Sequence, residues 1–424
     1  MKNLAGLIGL GLLASTALMT TARADTTPEA VIVHYADVAE AKYEDSLMTA
    51  KALDAAIEAF LQTPTEEALE SARAAWLAAR VPYQQTEVYR FGNSVVDDWE
   101  GRVNAWPLDE GLIDYVDASY GAESDENSLF TANVIANPAI EINGKTIDAG
   151  KITPQLISET LQEAGGIEAN VASGYHAIEF LLWGQDLNGN GPGAGSRPYT
   201  DYSLENCTND NCDRRREYLA AASDLLVADL EEMAANWKVG GAARAALEEA
   251  GVAGGLSTIL TGMGSLSYGE LAGERMKLGL LLGDPEEEHD CFSDNTHNSH
   301  RYDAVGIRSA YTGVYTRPDG TELTGPSLAE LVSQKDPAIA NELQADLDAT
   351  IAAMESMVVR AETVEAYDQM IATDNAEGNA TVQAAIDGLI KQTRSIERAI
   401  AALDLGAVEL EGSDSLDSPD AVFQ

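Results

Sequence analysis

The sequence predicts an all-α protein whose helices fall into two halves. Three observations carry that prediction. Ala, Leu, Glu and Ile recur at three-to-four-residue spacing over most of the 424 residues, the period of a helix with one buried face. Strand-like alternation is confined to one short stretch. A segment rich in Gly, Asn and Pro, 184–213, separates the helical runs before it from those after it.

Residues 1–24 read as a cleaved secretory signal. Lys2 supplies the positive start, Leu4 to Met19 the apolar core, and Ala22-Arg23-Ala24 the small-x-small cleavage site. Export to a bacterial periplasm is the simplest expectation, and no later run is long and apolar enough to span a membrane. The first half, 25–183, opens with helices over Pro28–Leu61 and Thr65–Arg90. Pro82 lies inside the second and favours a kink. Ala139 to Ile147 reads as a hairpin turning at Asn143-Gly144. Pro154–Asn170 reads as a further helix. The second half, 214–405, holds helical runs over Arg214–Trp237, Ala242–Ala250, Leu256–Leu282, Pro337–Arg360 and Asn379–Leu403. Gly283–Tyr315, rich in Asp, His and Asn, reads as a loop, and the acidic tail 406–424 is expected to fray. Long antiparallel helices are the simplest packing for such a chain.

Charge and cysteines narrow the function. With 70 acidic against 26 basic side chains, the formal charge is −44. Nucleic acid and anionic lipid are therefore excluded as direct partners. At 45% hydrophobic residues the chain can bury a core. Cys207 and Cys212 enclose a short polar loop that a disulfide could close in an oxidising compartment, leaving Cys291 over.

The most informative stretch is Gly174-Tyr175-His176-Ala177-Ile178-Glu179. His176 and Glu179 share one face of a helix that is apolar nearly all round, and a buried His–Glu pair needs a partner or a cation. In the second helix, Trp76, Arg80, Tyr83, Glu87 and Arg90 follow one stripe that faces either solvent or a polar cavity. If it is a cavity, Glu87 joins His176 and Glu179. One nitrogen and several carboxylate oxygens suit iron, zinc or manganese. The segment Glu286 to His300 holds three of the five histidines among many carboxylates. It reads as a metal-capable loop or a polar surface cap. Asp186 to Gly191 resembles the first half of a calcium loop, but Arg197 stands where the bidentate Glu belongs, so a turn-rich linker is the simpler reading. His34 reads as a surface residue.

These residues resemble the imelysin family, defined by GxHxxE, here Gly174, His176 and Glu179. The iron-regulated protein A branch is suggested by Ala79 to Arg90, Trp106 to Glu110, His176 to Asp186, and Asp290 to His297. The resemblance implies two helical-bundle domains with pseudo-twofold similarity and the GxHxxE helix near their interface. It implies an exported metal-binding protein of iron acquisition. Iron, or alternatively zinc, would sit on His176, Glu179 and Glu87. Asp109, Asp294 and His297 are possible further ligands. Arg80, Arg90 and Tyr83 would orient the carboxylates from behind. An inner- or outer-membrane iron-uptake component would be the partner. Some members of the family have been called insulin-cleaving peptidases, so a zinc metallopeptidase on the same residues is the alternative. A binding module with a polar interdomain cavity and no metal is another. The balance favours a binding protein over an enzyme.

Overall fold

The computed structural model describes residues 26–423. The expected signal segment, 1–24, lies outside the described residues. The fold is all-α, with two small hairpins. Helix α1 (Pro28–Gln62) starts where Thr27 accepts from the Ala30 N–H, with Pro28 in the first turn. Thr65 caps α2 (Glu66–Gln84) in the same way. The short link folds α2 back along α1, and the two pack over most of their length. Expected as one helix to Arg90, the second run ends at Gln84, two residues past Pro82, and Glu87–Tyr89 form a tighter 3₁₀ turn. Helix α3 (Ser94–Glu100) follows.

The hairpin forms as predicted, with β1 (Ala139–Ile142) against β2 (Lys145–Asp148). Asn143 and Gly144 both take positive φ at its turn. The helix expected over Pro154–Asn170 is shorter. Helix α4 (Pro154–Leu156) continues into one π turn, Ile157–Leu161, and stops before Gly165 at φ +77°. Next come α5 (Gly174–Trp183) and α6 (Cys212–Asn236). The Cys207 and Cys212 sulfurs are bonded.

Helices α7 (Ala242–Glu249) and α8 (Gly251–Ser265) lead into a π-helical stretch, Leu266–Lys277, and α9 (Leu278–Leu282). Helix α10 (Thr296–Thr312) occupies much of the region read from sequence as a loop. The first half of its inner face carries His297, His300 and Asp303, and the apolar stripe of Ala304, Ile307, Ala310 and Tyr311 covers only the second half. The hairpin β3 (Val314–Thr316) and β4 (Glu322–Thr324) precedes α11 (Leu328–Lys335). Helices α12 (Pro337–Thr363), α13 (Tyr367–Ile371) and α14 (Ala376–Ala402) complete the core, and α15 (Asp414–Asp417) is in the tail.

Helices α1, α2, α5 and α6 form one packed set; α10, α12, α14 and the π-helical stretch form another. Helix α6 follows the Gly/Asn/Pro-rich segment yet packs on α1 and α5, so the packing division falls after residue 236 rather than at 213. Helix α10 touches both α2 and α12, and one hydrophobic cluster runs from Val31 to Ile400. The tail does not hang free: Glu411 N–H donates to Ser265 Oγ, and Ser415 Oγ to the Gly273 carbonyl. His34 is buried, its Nε2 at 2.8 Å from the Gly313 carbonyl.

Candidate metal centre

The site begins with the first residue of α5. Gly174 sits at φ +81°, and a Cβ there would lie 2.4 Å from the Val103 carbonyl oxygen. That same oxygen accepts from the Tyr175 N–H at 2.8 Å. The glycine thus lets the helix start against the 103 turn, deep in the protein. One turn on, His176 and Glu179 are both buried, with His176 Nδ1 at 2.9 Å from Glu179 Oε2. Glu179 Oε1 accepts from both the N–H and the O–H of Ser293, at 3.0 and 2.6 Å. Both oxygens of Glu179 are therefore engaged. His176 Nε2 is buried with no hydrogen-bond partner.

What faces His176 comes from the Glu286–His300 segment. The His289 ring lies 4.8 Å from that of His176, edge to face, and its Nδ1 is also buried and unpartnered. One ligand atom each from His176, His289 and Asp290 lie within 4.8 Å of one another. Ligands at about 2.0–2.2 Å from a tetrahedral ion lie about 3.4 Å apart, so binding would draw the most distant pair together by about 1 Å. Two imidazoles and a carboxylate are a donor set for iron, zinc or manganese.

Electrostatics keeps the imidazoles neutral. Burial, with Arg80 and Arg275 adding, pushes His176 down to about 3 and His289 well below its usual value. A neutral His176 that donates Nδ1–H to Glu179 leaves its Nε2 lone pair free. Burial opposes the charge on Asp290, but the Arg80 guanidinium, 2.8 Å away, holds its carboxyl below the usual range. Asp290 Oδ2 also accepts from Asn295 and Ser299. Burial and Asp290 push Glu179 well upward, while the Ser293 hydrogen bonds work the other way. Arg80 itself lies over the rings of Trp76, Tyr83 and Tyr175 and donates to Asn104.

The other expected residues lie elsewhere. Glu87 does not complete the set with His176. Its Oε2 is held at 2.7 Å by Arg275, which also reaches Glu270 and Asp303. Arg90 pairs with Asp97 at 2.8 Å and lies 3.5 Å from Glu270. The segments around Glu87 and Glu270 thus meet in one ion-pair cluster. Asp109 accepts from Asn127. Asp294 and His297 are not among the groups that cluster with His176. The Asp294 carboxyl is pushed up to about 7 by burial and by Asp368 and Asp186, and His297 Nε2 meets Asn298 at 3.0 Å. Sequence reasoning missed His289 and Asp290 as individual ligands. The density of His and Asp in 286–300 was the available signal.

The sequence model described as imelysin matches residues 39–396. The chain belongs to the imelysin family. A curated relative, Iron-regulated protein A of Synechococcus elongatus, is 39% identical over 61 residues. The match covers 14% of this chain and 17% of that protein's length. Two solved imelysin-like structures share the fold. A protein assigned as an iron-regulated protein A precursor from Parabacteroides distasonis superposes with a TM-score of 0.63 at 18% identity, over 90% of this chain and 97% of that one. An imelysin-like protein from Psychrobacter arcticum gives 0.54 at 18% identity, with the same coverage. At that identity the likeness establishes the fold alone. In this imelysin the motif histidine sits at the contact between α5 and the 289–290 turn.

Proposed function

We propose that this imelysin is exported to the periplasm and binds a transition-metal ion, iron first, for iron acquisition. The observation that carries the reading is the clustering of His176, His289 and Asp290, together with one buried, unpartnered ring nitrogen on each of the two histidines. A buried polar nitrogen without a partner costs free energy that a cation would recover. Glu179 then serves to orient His176 and fix its tautomer, the usual companion of a metal-bound histidine. The choice of iron over zinc rests on the relative called Iron-regulated protein A. A membrane iron-uptake component is the proposed recipient.

The test is metal analysis of full mature protein purified without chelator, beside His176→Ala and His289→Ala. The expectation is close to one iron per chain, falling at least tenfold in each variant. Equal iron in all three overturns the assignment. Zinc in place of iron would reassign the ion and keep the ligands. The peptidase alternative needs a carboxylate free to activate water, and both Glu179 oxygens are committed. Chelator-sensitive cleavage that disappears in Glu179→Ala would restore it.

One observation favours a second reading. Asp290 is already satisfied by Arg80, Asn295 and Ser299. A carboxylate so served needs no cation, and the polar interior would then be a binding module without metal. Absence of any bound metal at full occupancy of folded protein selects that reading.

A further inference from the structure

On the other side of the 288–291 turn lies a second cavity. Glu110, Asp186, Glu286, Glu288 and Asp368 line it, together with Pro285, Cys291 and Phe292. Five carboxylates share this lining with no lysine, arginine or histidine among them. An acidic lining alone means little on a chain of this charge. Three of these groups are buried, Glu110 at 5% exposure, Glu288 at 1% and Asp368 at 2%, and two of the three, Glu288 and Asp368, carry oxygens that make no hydrogen bond. Glu288 Oε1 makes none, and neither do the carboxylate oxygens of Asp368, although the Gln369 and Asp368 amides lie close enough to favour its charge. Glu288 Oε2 accepts from Thr296 Oγ1 at 3.2 Å, but buried carboxylates that face one another with so few donors and no counter-charge are costly. The inner site is not the reason for them. Glu288 turns to this cavity while the next two residues, His289 and Asp290, turn to His176.

We infer that this cavity binds a hard divalent cation of the calcium type, held by Glu288 and Asp368. The donors are all oxygen, which selects hard ions and gives a softer ion no imidazole or thiolate advantage. Among the described residues, only His176, His289 and Asp290 bring three ligand atoms within 4.8 Å. The carboxylates of the outer cavity are more widely spread, and the cavity has room for about one water-sized body, so the ion sits on Glu288 and Asp368 and draws the other carboxylates inward. Asp186 and its neighbours are strapped to the same place: Asn190 Nδ2 donates to the Asp368 carbonyl at 2.8 Å. The half-formed calcium pattern of 186–191 therefore contributes one carboxylate to a site assembled from distant segments. It does not form a loop site of its own. This inference is independent of the iron reading.

Calcium is the probe, because imidazoles bind it poorly. Calcium titration of the full mature protein, by calorimetry and by thermal melting in 0.15 M salt, separates specific from diffuse binding. The expectation is one calcium per chain in wild type and in His289→Ala. Affinity falls at least tenfold in Asp368→Asn and is unchanged in Glu58→Gln, which removes an exposed charge. In chelator, Asp368→Asn should melt at or above wild type, because an unpaired carboxylate is gone. If Asp368→Asn does not fold, Glu288→Gln takes its place with the same expected loss. Wild-type affinity in the folded cavity variant, equal loss in Glu58→Gln, or no stoichiometric calcium in wild type overturns the inference. Loss of calcium in His289→Ala overturns it too, since the two sites would then be one.

Discussion

Asp290 and Arg80 are mutually dependent. Both are buried, and each is the other's charge partner at 2.8 Å. Replacing Asp290 by Ala leaves a buried guanidinium without its counter-ion, an event that costs about 3–5 kcal/mol. Chemical denaturation of Asp290→Ala should show a loss of that size, and Asp290→Asn a smaller one because the amide oxygen still accepts. Glu100 makes the opposite kind of prediction. Burial, then Glu87, push its carboxyl up to about 7 from 4.5, although Arg90 and Arg275 pull it back. A folded-state value above the unfolded one means the native state holds the extra proton between those two values. Stability attributable to Glu100 is therefore present at pH 4 and lost as pH rises through 7. Glu100→Gln should remove that loss: melting curves from pH 4 to 8 should show the variant gaining on wild type across the window. Parallel pH profiles for the two would contradict it.

At the scale of elements, α5 is placed by its first residue. Gly174→Ala would have to adopt φ +81° and push its Cβ against the Val103 carbonyl. Strain of this kind costs about 1–3 kcal/mol, and relief by shifting α5 would move His176 and Glu179 away from Ser293 and His289. Equilibrium unfolding should register the loss, and metal content should fall with it even though no ligand was changed. Helices α2 and α5 were legible because apolar and charged residues recur with helical period. Helix α10 was not, since the first half of its buried face is polar, with Ser299, His300 and Asp303 packed inward, and the apolar Ala304, Ile307 and Tyr311 span only two turns. A face that buries histidine and aspartate looks like a loop to any reading based on hydrophobicity. The same chemistry explains why Asp294 and His297, rather than His289 and Asp290, stood out as ligands. In a run so dense in polar groups, spacing does not say which ones turn inward.

For the whole molecule, the dominant fact is the charge of −44. Repulsion among exposed carboxylates opposes the compact state and is screened over about 10 Å at 0.1 M salt. Raising sodium chloride from 10 to 300 mM should raise the melting temperature by a few degrees. A decrease would mean that the surface ion pairs outweigh the repulsion.

The helical class, the hairpin at Asn143-Gly144 and the His176–Glu179 pair were determined by the sequence alone, because each depends on neighbours within a turn or two. Which groups meet His176 was decided only by the tertiary structure. Glu87 is drawn to Arg275, from a helix 188 residues away along the chain, and its place beside the imidazole goes to His289 and Asp290. Long-range charge pairing settles such contests, and no local spacing encodes the distance between an acid and an arginine on separate helices.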